Sequence, residues 1–305
     1  MESLLKPDEG AACATDTKTI FVTGATGDTG RPTVKLLLQR GHRVRALARK
    51  EDKRSRDLAG LGAEIIVGDM LKIADIRQAM KDVTSAYFVY PLADGQVEAS
   101  VIFAQAAKEA RLELVVNMSH KQSRPYARSQ ATMAHWLSEQ VFDWSGVPVT
   151  HLRITFFAEW ILYMAHLIRQ GRYVVPFDGD SRFAPIPSSE IARIVVGLLE
   201  HPAAHVGQAL ALHGPVEYSH KELAALVARV LGKDVKFEQV TVPAFLALLG
   251  IPDDAAKNAH FEAVRIDQQE GLLRGTDTLG AELAGGPLMT MEEFVANHRF
   301  ELQEL

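Results

Sequence analysis

Apolar positions along the chain fall into short unbroken blocks, and between the blocks they recur at helical spacing. Thr19-Ile20-Phe21-Val22-Thr23 is a β-rich block that ends in a glycine cluster, and Pro32 to Arg40 then takes up a helical period through Val34, Leu37 and Leu38. Gly41-His42 closes that helix, and Arg43 to Ala48 predicts a second strand, parallel to the first through a right-handed crossover. The alternation continues with strands over Glu64 to Val67, Ala86 to Tyr90, Leu114 to Met118 and Val149 to Arg153. Helices are predicted between them over Ile73 to Lys81, Val97 to Ala110 and Ala131 to Ser145. Strand and helix in strict turn specify an α/β fold, a doubly wound parallel Rossmann sheet with helices on both faces.

Beyond Phe156 the alternation loosens. A helix is expected over Glu159 to Gln170, then a Gly- and Pro-dotted stretch to Pro187, then helices over Ser189 to Glu200 and Ser219 to Leu231. The expected organisation is a disordered tail over residues 1–18 and a Rossmann domain over 19–155, its sheet completed by parts of 184–214. Residues 156–183 and 215–305 form a smaller, mainly helical C-terminal substrate lobe. In doubly wound sheets ligands bind in a crevice outside the carboxyl ends of the strands, so this lobe is expected to close over one end of that crevice.

Composition narrows the class. The 305 residues are 47% hydrophobic and 23% charged, with a formal net charge of -5, which provides no basic footprint for nucleic acid. The one cysteine, Cys13, allows neither an intrachain disulfide nor a thiolate metal cage, and fits a reducing cytoplasm. No apolar run is long enough to span a membrane, residues 1–18 lack a signal-peptide core, and no Cys or His cluster has zinc spacing. A cytoplasmic protein that binds no metal, nucleic acid or membrane is expected. A homodimer through helical surfaces stays open.

The most informative stretch is Thr23-Gly24-Ala25-Thr26-Gly27-Asp28-Thr29-Gly30, where strand feeds helix. Gly24 serves the tight turn, Gly27 the approach of a pyrophosphate, and Gly30 the packing of helix on strand. Thr26, Asp28 and Thr29 complete the turn, and the positive end of the helix faces the anion. The second strand ends in Arg49-Lys50, where a carboxylate would be expected to receive a free ribose 2′-hydroxyl. Arg49, with Lys53 or Arg54 behind it, suits a 2′-phosphate, so NADP(H) is expected to be preferred over NAD(H).

That turn, Gly68-Asp69-Met70, Ser119 and Leu152-Arg153-Ile154-Thr155-Phe156-Phe157-Ala158-Glu159 occur together in order. With Ala184-Pro185-Ile186-Pro187-Ser188-Ser189-Glu190-Ile191-Ala192, and Gly214-Pro215 ahead of Ser219, the chain resembles the NmrA-like atypical short-chain dehydrogenase/reductases over about residues 19 to 240. The resemblance implies that Asp69, beside Met70, receives the adenine amino group. It further implies that Tyr90 and Pro91 border the adenosine and that Phe156 borders the nicotinamide.

The reductases of that superfamily resemble one another in a Tyr-x-x-x-Lys helix that supplies the proton, and this chain departs from it. Aligning Glu139 with the glutamate that follows the lysine puts His135 at the lysine position and Ala131 at the tyrosine position. Histidine there also resembles several NmrA-like quinone reductases, in which the reduced acceptor takes its proton from solvent. The catalytic candidates are Ser119, placed to reach an incoming carbonyl, His135, placed to bond the ribose, and His120, Lys121 and Tyr126 in the segment after the fifth strand. The leading expectation is an NADPH-dependent oxidoreductase acting on a small conjugated or carbonyl acceptor, with Phe156, Phe157, Trp160 and Tyr163 lining its pocket. Two other readings stay open: a non-catalytic NADP(H)-binding redox sensor of the NmrA type, and an isomerase or lyase that recycles its nicotinamide.

Overall fold

A computed structural model describes residues 17–303. Cys13 and nearly all of the expected disordered tail therefore lie outside the described residues. The Rossmann portion runs β1 (Thr19–Val22), α1 (Gly30–Gln39), β2 (Arg43–Ala48), α2 (Lys53–Gly60), β3 (Glu64–Val67), α3 (Ile73–Ala79), β4 (Ser85–Phe88), α4 (Gln96–Ala110), β5 (Leu114–His120), α5 (Gln130–Ser145) and β6 (Val149–Ile154). Then follow α6 (Trp160–Tyr163), α7 (Ala165–Arg169), β7 (Arg172–Val175), β8 (Arg182–Phe183), α8 (Ser188–Glu200), β9 (Ala209–Leu212), β10 (Tyr218–Ser219) and α9 (His220–Leu231). The chain continues through β11 (Lys236–Gln239), α10 (Val242–Leu248), α11 (Ala255–Gln269), α12 (Leu279–Leu283), α13 (Met291–Asn297) and α14 (Arg299–Gln303).

Seven parallel strands form the main sheet in the order β3-β2-β1-β4-β5-β6-β9. The order reverses between β1 and β4, which opens a crevice at their carboxyl ends. Strands buried on both faces carry continuous apolar runs, and β1, β4 and most of β5 are buried throughout. One face is packed by Val34 and Leu37 of α1, Leu58 of α2 and Ile191, Ile194 and Val195 of α8. The other is packed by Ile76 of α3, Phe103 of α4 and Phe142 of α5, with Phe88 and Phe142 meeting edge-on at 5.3 Å. Sheet completion from the 184–214 stretch comes through β9, which pairs Leu152 with Leu210.

Two features of the later chain depart from the periodicity. The helix expected over Glu159 to Gln170 is broken at Met164, whose φ of -93° and ψ of 7° end α6 and begin α7. The lobe also contains strands the pattern does not announce, the parallel pair β7–β11 and the short antiparallel pair β8–β10. Sequence-distant stretches interlock here: Ala158 N–H donates to the Ile186 carbonyl at 3.0 Å, Ile186 N–H to Phe156 at 3.0 Å, and Gly214 N–H to Ala184 at 2.9 Å. Glu159 Oε1 accepts from the backbone N–H and the hydroxyl of Ser188, at 2.9 and 2.6 Å, and so holds the first turn of α8. The lobe has its own core, in which Ile168, Val174, Val227, Phe245, Phe294 and Leu302 are fully or almost fully buried.

Candidate functional site

The glycine turn is built as close packing requires. Gly24 has a φ of +55°, and a Cβ on Gly30 would stand 2.2 Å from the Gly24 carbonyl oxygen, so neither position tolerates a side chain. Gly27 N–H donates to that same carbonyl at 2.9 Å, and Gly27 and Asp28 face solvent. Thr26 is half-buried, whereas Thr29 is buried and its hydroxyl accepts from Tyr87 at 3.1 Å. A smooth, exposed backbone at the start of α1 fits a pyrophosphate.

Around the turn, the adenosine candidates come together. Arg49 follows β2 and Lys53 opens α2, both exposed; Arg54 is held instead by Asp52, at 3.1 Å. Asp52 caps α2 through Ser55 N–H, and that contact, ahead of Arg54, holds its carboxyl below the usual range. Asp69 forms a tight turn, its Oδ1 accepting Leu71 N–H at 3.0 Å, and Met70 packs beside it against the helix-covered core. The Tyr90 hydroxyl donates to the Asp94 carbonyl at 2.8 Å. Its pKa is raised by burial and then by Asp69, while Arg49 opposes, which places all three in one neighbourhood. Pro91 follows on the exposed rim.

The catalytic candidates separate. Ser119 is buried and its hydroxyl donates to Glu139 Oε1 at 2.5 Å, so the contact with an incoming carbonyl expected from sequence meets a proton already committed. Lys121 Nζ bonds His213 Nε2 and the Arg274 carbonyl, and burial lowers its pKa to about 8. His213 is oriented in turn by Asp277 at 3.1 Å. Tyr126 is 88% exposed and stands apart from the other candidates. His120 and His135 are brought together, their ring centroids 3.8 Å apart. Burial pushes His135 down to about 3 and His120 well below the ordinary histidine value, and the neighbouring imidazoles add to both shifts.

Sequence reasoning missed several residues that build this site. Arg153 pairs with Glu139 at 3.0 and 2.6 Å, Gln96 bonds His135, and His260 of α11 joins the imidazoles. Glu139 was legible only as a landmark; His260 lies on a helix with no local chemical motif.

Phe156 packs on Phe177 and Phe183, at 5.2 and 5.4 Å, and borders an aromatic cavity with Phe157, Trp160, Phe245 and Phe261. The cavity measures about 30 Å³, the space of one water, so a ring enters only when side chains part; unbranched Met164 and Met291 are its movable walls. Tyr163, expected in this lining, instead directs its hydroxyl to Asp28 of the glycine turn. Among the described residues no three His, Cys, Asp or Glu side chains are placed to hold a metal ion.

The NmrA-like family matches residues 16–295, and the chain belongs to that family. It is 28% identical to the NAD(P)H azoreductase of Xenophilus azovorans over 285 residues, covering 92% of this chain and 97% of that one. It is 29% identical over 281 residues to the (4-alkanoyl-5-oxo-2,5-dihydrofuran-3-yl)methyl phosphate reductase of Streptomyces griseus, again covering 92% and 97%. Among solved structures, the NADPH-dependent quinone oxidoreductase of Escherichia coli complexed with NADPH superposes with a TM-score of 0.80 at 22% identity, over 91% of this chain and 99% of that one.

Proposed function

We propose that this NmrA-like chain is an NAD(P)H-dependent oxidoreductase that prefers NADPH and reduces a small, planar, conjugated or carbonyl acceptor. The observation that carries this reading is the contact between the glycine turn and the aromatic cavity. Tyr163 bonds Asp28 in the turn, and Trp160, three residues earlier and 5.5 Å from the Tyr163 ring, lines the cavity. Nucleotide site and acceptor site are thus separated by one helical turn. Two full-length relatives bearing reductase names support the same class.

Gly24, Gly27 and Gly30 leave room for the pyrophosphate at the start of α1. Arg49 and Lys53 present cations to a 2′-phosphate, and Asp69, Tyr90 and Pro91 frame the adenosine. The cofactor, when bound, supplies the hydride. The chain supplies orientation and a dry aromatic surface. With Ala131 where a tyrosine acid would stand, the reduced acceptor takes its last proton from water.

The test follows nicotinamide absorbance while purified protein is mixed with NADPH or NADH across a panel of quinones, enones, aldehydes and azo compounds. Acceptor-dependent oxidation, faster with NADPH, is expected. Nucleotide binding with no oxidation by any acceptor would sink the reductase reading and leave a cofactor-binding sensor.

A further inference from the structure

Three histidines from three separate elements meet at the carboxyl edge of the sheet. His120 ends β5, His135 lies in α5, and His260 lies in α11 of the substrate lobe. His120 stacks on His135 at 3.8 Å with the rings inclined by 31°, and His260 lies 6.1 Å from His120 at 36°. Two cations do not stack at that separation, and burial lowers the pKa of each ring. Among the described residues no three such side chains are placed to hold a metal ion, so the trio is not a metal cage.

The outer two imidazoles are fixed and the middle one is not. Gln96 Nε2 lies 2.7 Å from His135 Nδ1, and Ser129 Oγ lies 2.7 Å from His260 Nδ1. Among the described residues no hydrogen bond engages the His120 ring, which is half-buried beside the two other histidines. Asp267 acts on His260 against the lowering by burial, and is itself paired with Arg124 at 2.7 Å and Arg128 at 2.8 Å. Arg128 also grips Glu270 at 2.7 and 2.8 Å. These pairs clamp the segment after β5 onto α11 and so fix His260 over His120. On the same helix the next residue, Phe261, lies 5.6 Å edge-on to His260 and lines the aromatic cavity.

We infer that His120 contacts the acceptor, as a neutral imidazole whose N–H donates a hydrogen bond to the carbonyl oxygen where negative charge collects. His135 and His260 are its positioning residues. The inference rests on the reductase reading. NADPH is oxidised and the acceptor gains two electrons and one hydrogen as hydride. The charge resides on its oxygen, His120 keeps its own proton, and water delivers the second one. A neutral ring held by burial stays a hydrogen-bond donor across the physiological range without titrating.

The decisive experiment needs no turnover. Binding of 2,3-dimethyl-1,4-naphthoquinone and of 2,3-dimethylnaphthalene, which has the same fused rings without the oxygens, is measured by quenching of tryptophan fluorescence. The wild type and His120→Phe, which retains the stack on His135, are compared. The preference for the quinone is expected to shrink by about 2- to 10-fold in the variant, the worth of one net hydrogen bond, and to return largely in His120→Gln, whose amide restores a donor. An unchanged preference in His120→Phe overturns the inference. In parallel, single-turnover reduction is expected to slow about 100-fold in His120→Phe with NADPH affinity retained, and to be flat in the wild type between pH 6 and 8. A wild-type rate that falls as pH rises through the ordinary histidine range would show an imidazolium acid and overturn the neutral-donor role. A wild type that binds NADPH but fails to oxidise it with any of the acceptors defeats the reductase reading itself, which the binding comparison does not test.

Discussion

The guanidinium of Arg153 and the carboxylate of Glu139 form a two-pronged pair, at 3.0 and 2.6 Å, in which Glu139 is only 1% exposed. Ser119 adds a third donor, so strand β5, strand β6 and helix α5 are joined at the carboxyl edge of the sheet. The two partners are unequal in burial, and their removal is expected to be unequal in cost. Arg153→Met leaves a buried charge without its cation and should lower unfolding free energy by about 3 kcal/mol. Glu139→Gln leaves a guanidinium that is partly exposed and can be hydrated, and should cost about 1 kcal/mol. Urea unfolding of the two variants checks the order; equal losses would show that Glu139 is hydrated in solution.

Asp28 places a carboxylate in the turn that is to face a pyrophosphate, and the Tyr163 hydroxyl is bonded to it. Removing the charge should relieve a repulsion. Asp28→Asn is expected to lower the NADPH Kd about threefold at low ionic strength, with the gain fading as salt shortens the screening length. Calorimetry at two salt concentrations measures this. Weaker binding in the variant at low salt would mean that Asp28 receives a hydrogen bond from the nucleotide rather than opposing it.

On the proposed function, the basic residues after β2 are expected to set a preference for NADPH. Arg49 is exposed and near Tyr90 and Asp69, and Lys53 stands at the first turn of α2. Arg49→Ala should raise the NADPH Kd by about tenfold, the loss of one charge-assisted contact, and leave the NADH Kd unchanged. Lys53→Ala should do the same more weakly. An equal loss for both nucleotides would relocate Arg49 to the adenine or the pyrophosphate.

The legible part of the fold was the part whose chemistry repeats with a period. Largely apolar runs such as Leu114 to Met118, broken by Asn117, mark strands buried on both faces, and the spacing of Val34 and Leu37 marks the face of α1 that meets the sheet. Strand β11 reads Lys236-Phe237-Glu238-Gln239 and offers no such period. It pairs with β7 through backbone and through Arg172, which grips Glu238 at 2.8 and 2.9 Å, a partner 66 residues away. The site divides in the same way. The glycine turn is local and was read directly. The imidazole trio joins β5, α5 and α11, and only tertiary packing reveals that His260 joins the pair of His120 and His135.

The same trio carries a pH signature in stability. His135 has a folded pKa of about 3 against an ordinary value of 6.5, with burial the larger cause and His260 the next. Between those two values the unfolded chain binds a proton at this position and the folded chain does not, so stability rises with pH across the window and is lost as pH falls through it. His220, lowered to about 4 by burial, acts with the same sign over a narrower range. Replacing His135 by Gln removes the titrating group. The log unfolding constant decreases with pH between 4 and 6, and the steepness of that decrease should then fall by about one proton. Urea titrations at a series of pH values give that slope directly. A slope unchanged by His135→Gln would mean that water reaches the ring and that the imidazole protonates within the fold.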